Sequence, residues 1–86
     1  MKYYQFTKSF EKSYQKLTLK QQEKIDDALI SYLETPDLVR LRVHRLKGRY
    51  LGQISISAGG DLRIHLKEEG DTIIVVVTVG THSQLY

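Results

Sequence analysis

Ile54-Ser55-Ile56-Ser57-Ala58-Gly59-Gly60-Asp61-Leu62-Arg63-Ile64-His65-Leu66 is the stretch whose pattern decides the fold. Ile54, Ile56 and Ala58 alternate with Gln53, Ser55 and Ser57, and Leu62, Ile64 and Leu66 alternate with Asp61, Arg63 and His65. Alternation of this kind marks strands that bury one face, because successive side chains leave a pleated chain on opposite sides. Gly59-Gly60 supplies the positive-φ residues that a tight two-residue hairpin needs. The stretch predicts an antiparallel hairpin, with Asp61, Arg63 and His65 together on the face away from the core.

Downstream, Glu68-Glu69-Gly70-Asp71 makes a second turn, and Thr72 to Val79 is apolar on both faces, as expected of a strand inside a sheet. Upstream, Val39, Leu41 and Val43 alternate with Arg40, Arg42 and His44, which predicts an extended segment with one buried and one basic face. Before Pro36 the period becomes helical. Ile25, Ala28, Leu29, Tyr32 and Leu33 recur at spacings of three and four, opened by the capping box of Thr18 and Gln21 and stopped at Thr35-Pro36. Phe6, Phe10, Tyr14 and Leu17 predict a shorter helix capped by Thr7, after a short first strand. Tyr3, Tyr4, Tyr14 and Tyr32 fall in the packing pattern. The sum is an α+β domain spanning 1–86 in the order β-α-α-β-β-β: a helical hairpin on one face of a small, largely antiparallel sheet.

The chain of 86 residues contains no cysteine, which excludes a disulfide scaffold and any thiolate zinc site and suits a reducing, cytoplasmic setting. Its longest apolar run, Ile73 to Val77, is far too short to span a bilayer, so no membrane association is expected. Charge is uneven. Six lysines face five acids in 1–35, seven Lys/Arg face two acids in 36–67, and 68–86 carries three acids and no base. A basic middle third attracts polyanions, and without a basic amphipathic helix nucleic acid is the natural partner.

No Gly-x-Ser-x-Gly elbow and no phosphate-cradling Gly-rich loop is present, and His44, His65 and His82 lack the short spacings of a zinc site. Neither a metal nor another cofactor is expected. What remains is acid-base chemistry on RNA, which needs a group to accept the 2′-hydroxyl proton, a cation beside the phosphate, and a donor to the departing 5′-oxygen. His44, Asp61, Arg63 and His82 sit at or near strand ends that can converge, and histidine holds both protonation states near neutrality. Tyr50 and Tyr86 can stack on splayed bases. The same spacings also fit surface or turn histidines and a solvent-facing Arg63. His65 has the weakest claim, since it is not near an element end.

His44-Arg45-Leu46-Lys47-Gly48, Ser55-Ile56-Ser57, Asp61-Leu62-Arg63-Ile64 and Gly80-Thr81-His82-Ser83-Gln84-Leu85-Tyr86, in this order, resemble the RelE/ParE toxin superfamily, particularly its YafQ-like branch. The resemblance implies a RelE-like fold and the toxin of a type II toxin-antitoxin pair, a ribosome-dependent endoribonuclease acting on messenger RNA without a metal. Its partners would be a cognate antitoxin protein, the ribosome and mRNA, with no small-molecule cofactor. Carried over by position, His44, Asp61, His82 and Tyr86 match that branch's site and Arg63 an arginine of the wider RelE-like pattern, and these five would form the catalytic set; Arg45, Lys47 and Arg49 would then hold RNA phosphates, with Arg40 and Arg42 of the basic segment and Tyr50 also expected to bind RNA. Ser57 stands where some members have a histidine, Leu62 where they have tryptophan, and Ile54 replaces a tryptophan common in a related branch. Two alternatives remain open: a ParE-like inhibitor of DNA gyrase that cuts no RNA, and a degenerate toxin that retains antitoxin binding.

Overall fold

The computed structural model describes residues 1–34 and 38–86. Strand β1 (Tyr3–Phe6) leads into helices α1 (Lys8–Gln15) and α2 (Leu19–Glu34), followed by the short helix α3 (Leu38–Leu41) and strand β2 (His44–Arg45). A 3₁₀ turn (Gly48–Tyr50) precedes strands β3 (Ile54–Gly59), β4 (Leu62–Glu69) and β5 (Ile73–Thr81), and a last helical turn, α4 (His82–Leu85), comes directly after β5. The sheet order is β1-β5-β4-β3-β2, antiparallel throughout except for the β1–β5 pair. The expected β-α-α-β-β-β order is carried by β1, α1, α2, β3, β4 and β5, and β5 lies inside the sheet as its composition requires.

The helical hairpin forms where the caps place it. Thr7 Oγ1 accepts from the Phe10 amide at 3.0 Å, and the Thr18 hydroxyl and Gln21 side chain cap each other's backbone N–H at 3.1 and 3.0 Å. Phe10, Ile25, Ala28 and Leu29 turn inward onto Ile54, Ile56, Leu62, Ile64, Leu66, Ile74, Val76 and Val79. Each large side chain in that layer contributes roughly 1.5–3 kcal/mol by leaving water. Phe6 continues the helical spacing but belongs to β1, where it stacks on Phe10 with centroids 5.1 Å apart. Tyr4, Tyr14 and Tyr32 pack against the core, whereas Tyr3 is exposed. The α2 helix ends at Glu34, and the expected Thr35-Pro36 stop lies outside the described residues.

Two expectations are corrected. The segment 39–44 is not one extended strand: Leu38–Leu41 is helical, and pairing begins only at His44. Leu41 is buried and Val43 packs on the core, as alternation demands, but Arg42 between them has φ 50°, a left-handed residue that ends the helical turn and reverses the chain. A spacing of two is thus met by a turn instead of a pleat. The sheet face away from the helices is also not fully open: Ser55, Ser57 and His65 on it are buried.

One irregularity matters for the site. His65 pairs with Thr78 but Leu66 pairs with Val76, so Val77 is an extra residue with no partner on β4. Thr7, the cap of α1, donates its amide to Val76 O (3.2 Å) and its hydroxyl to Val77 O (2.5 Å), so the irregular step anchors the first helix.

Candidate functional site

Cross-strand pairing carries a row of polar side chains over the sheet. His44 pairs with Ser55, Ser55 with His65, and His65 with Thr78, while Ser57 pairs with Arg63 and Arg63 with Gly80. Directly opposed residues share a face, so His44, Ser55, Ser57, Arg63 and His65 all stand opposite the helical layer. The hairpin turn falls at Gly60 and Asp61, with positive φ at Gly59 and Gly60.

After β5 the chain turns back at once. Thr81 caps α4 with a complete capping box: its hydroxyl accepts from the Gln84 amide at 3.3 Å, and Gln84 Oε1 accepts from the Thr81 amide at 2.8 Å. The His82 amide donates to Asp61 O at 2.9 Å, locking the turn onto the β3–β4 hairpin. This brings Tyr86 back over the sheet. Its ring lies 4.7 Å from that of His82 and 5.4 Å from that of His65, and its hydroxyl is 3.1 Å from His65 Nε2. Tyr50 closes the cluster from the 3₁₀ turn, 5.0 Å from the His65 ring and 6.3 Å from Tyr86. Arg49 NH2 donates to the Tyr50 hydroxyl at 2.9 Å, and that hydroxyl donates to Leu85 O at 2.8 Å.

The structure therefore gathers His82, Tyr86, His65, Tyr50 and Arg49 into one chain of contacts, with His82 and Tyr86 exposed and His65 fully buried. Burial first, then the neighbouring His44, holds the His65 imidazole below the usual histidine range. His44 lies at the exposed end of the row, with its Nδ1 3.0 Å from Arg42 O. Arg63 is half-buried, and its NH1 donates to Gly60 O and Leu62 O, both at 2.9 Å, and to Ser57 Oγ at 3.3 Å. The guanidinium carries further donors beyond that nitrogen. Asp61 is exposed and meets α4 through its carbonyl.

The proposed RNA-holding residues separate into groups. Lys47 and Arg49 are exposed around the 3₁₀ turn beside the cluster. Arg45 pairs with the core-facing Ile54, which directs it to the helix side, where it acts on the Tyr32 phenol. Arg40 lines a cavity of about 250 Å³ with Lys24, Asp27 and Ser57, and Arg42 ends α3. The sequence pattern passed over His65, which the fold makes the centre of the cluster; its signal was the shared face with Arg63, two residues away. A fully buried imidazole bonded to an exposed phenol, with an exposed imidazole against the same ring and arginines nearby, can orient a phosphodiester and exchange protons with it.

Residues 4–86 match the family of the ParE toxin of the type II toxin-antitoxin system, parDE. The chain belongs to that family, and so to the RelE/ParE superfamily. It is similar in structure to a copper-bound mutant toxin from Helicobacter pylori, at 21% identity over 100% of both chains with a TM-score of 0.82. It also resembles YafQ from E. coli, at 16% identity over 100% of this chain and 99% of that one, TM-score 0.71. The RelB–RelE antitoxin-toxin complex from Methanococcus jannaschii matches at 22% identity, over 94% of this chain and 93% of that one, TM-score 0.74. At these identities the likeness concerns the fold. No curated protein sequence matches the chain.

Proposed function

We propose that this toxin is a ribosome-dependent endoribonuclease that cleaves mRNA in the cytoplasm by attack of the 2′-hydroxyl on the adjacent phosphate. The observation that carries the reading is the exposed His82 imidazole set against the Tyr86 ring, on a face shared with Arg63 and His44. In this reading His82 is the general acid or base, Arg63 stabilises charge on the phosphate, and Tyr86 contacts the RNA at the same point. His44 and Asp61 flank the centre, orienting the strand or exchanging protons with it. Lys47, Arg49 and Tyr50 hold the RNA beside the cluster, and Arg40, Arg42 and Arg45 reach ribosomal or message phosphates farther out. A cognate antitoxin completes the system, as the RelB–RelE and DinJ–YafQ complexes suggest by analogy.

Sequencing RNA 5′ ends after expressing the wild type and His82→Ala tests the proposal. Cuts within ribosome-bound messages that vanish in the folded variant are expected. The matched family's ParE description favours a second reading, inhibition of DNA gyrase. Intact messages with a DNA-damage response would establish that reading instead, and antitoxin binding without toxicity would indicate a degenerate toxin.

A further inference from the structure

We propose that His65 is a positioning residue whose Nε2–H holds the Tyr86 hydroxyl oxygen, fixing the ring against which His82 lies and leaving the phenol hydrogen free for an RNA phosphate. The role toward RNA rests on the nuclease reading; the hydrogen-bond assignment does not.

The argument begins with the imidazole. His65 has no exposed surface, and its Nε2 is 3.1 Å from Tyr86 Oη, while its Nδ1 is buried without a hydrogen-bond partner. In a neutral ring one nitrogen carries the proton and the other a lone pair. Orphaned buried N–H groups are rarer than under-satisfied acceptors, so the proton belongs on Nε2 and the bare lone pair on Nδ1. The depressed basicity of the ring, from burial and then from His44, keeps this neutral form in place.

A phenol that accepts through its oxygen still has its own hydrogen to give. Tyr50 displays the same relay: it accepts from Arg49 at 2.9 Å and donates to Leu85 O at 2.8 Å. Tyr86 differs in what lies beyond it. The residue is 48% exposed, and among the described residues its hydroxyl meets His65 Nε2 and no protein acceptor. Hydrogen bonds in a chain polarise one another, so accepting from His65 makes the hydroxyl a better donor. The packing supports one ring position: Tyr86 meets His65 edge-on at 61° and His82 at 34°, so a shift of the phenol moves the His82 contact with it.

The test uses His65→Phe, which keeps a ring beside Tyr50 but removes the nitrogen, Tyr86→Phe, which removes the hydroxyl, and the double variant. Cleavage of ribosome-bound message should fall about tenfold in each single variant, mainly in kcat, and no further in the double. His65→Gln places an amide NH2 where Nε2 stood and should restore most of what His65→Phe loses. Losses that multiply in the double variant, or no rescue by Gln, would overturn the proposal. Ring-nitrogen NMR of the wild type supplies a readout independent of activity: a proton on Nε2 is expected, and a proton on Nδ1 overturns the assignment. If the wild type cuts no RNA, the nuclease reading has failed and the NMR alone decides whether His65 donates to Tyr86. Should His65→Phe not fold, the tautomer and the His65→Gln and Tyr86→Phe variants still decide.

Discussion

Gly80→Ala should leave the protein folded and yet disable it. Gly80 does not need glycine for its backbone angles; it needs the space. A Cβ there would come 2.9 Å from Gln84 Oε1 and 3.5 Å from two Leu85 carbons. The first distance is about 0.5 Å inside ordinary contact, so the Gln84 amide must retreat. That oxygen is the one that accepts from the Thr81 amide at 2.8 Å, and losing the bond costs about 0.5–1.5 kcal/mol. Replacing glycine restricts the unfolded chain and returns about 0.4–1 kcal/mol. The two nearly cancel, so the thermal midpoint should move by no more than about 5 °C. The site does not escape, because the turn that loses this capping bond carries both His82 and Tyr86 and is held less firmly without it. A misplacement approaching an ångström can cost about 100-fold in rate, so we expect cleavage to fall at least about tenfold. The assay is 5′-end mapping of message in a purified translation mixture, beside a thermal melt of the same sample. Wild-type cleavage by Gly80→Ala, or a loss that only tracks unfolding, would refute the claim that this glycine makes room for the capping box.

Three further outcomes are expected of the same structure. Protonation of His65 is harder in the folded protein than in the unfolded chain, whose histidine titrates near about 6.5. The unfolded state therefore binds more protons below that pH, and stability should fall as pH drops from about 6.5 toward the lower folded value, with no such slope above it. Urea midpoints at about pH 7.5 and about pH 5.5 check this, and His65→Phe should reduce the difference. Arg42→Gly relieves a left-handed φ of 50° and should raise the thermal midpoint by a few degrees, about 0.5–1 kcal/mol; a fall would contradict the cap assignment. Ile64→Ala removes a side chain with no exposed surface and should cost about 2–5 kcal/mol by chemical denaturation, with a loss under about 1 kcal/mol counting against its place in the core.

The hairpin of β3 and β4 was legible because Gly59-Gly60 and strict alternation are local signals that no competing pattern obscures. The caps at Thr7 and Thr18 were legible for the same reason. The 39–44 segment reads as a strand although three apolar residues at spacing two also suit a helical turn ended by a left-handed residue, and nothing local distinguishes the two. At the site, alternation placed Arg63 and His65 on one face, but it could not tell that Tyr50 and Tyr86 would fold over that face and bury the histidine. That burial comes from Thr81 and Gln84 turning the chain immediately after β5, and from a 3₁₀ turn about 30 residues earlier in the chain. Arg45 shows the converse: a run rich in arginine reads as one basic face, while pairing with Ile54 sends that side chain to the other side.

Val77 gives β5 one residue more than its neighbour can match. Shortening the strand by one residue between Val79 and Thr81, beyond the irregular step, would invert the pleat there and pull the last helical turn out of place. Deleting Val77 itself would simply regularise the ladder, and the price would fall on Thr7, which would lose a carbonyl that seats the first helix. Tolerance to shortening in this strand is therefore confined to the neighbourhood of its surplus residue.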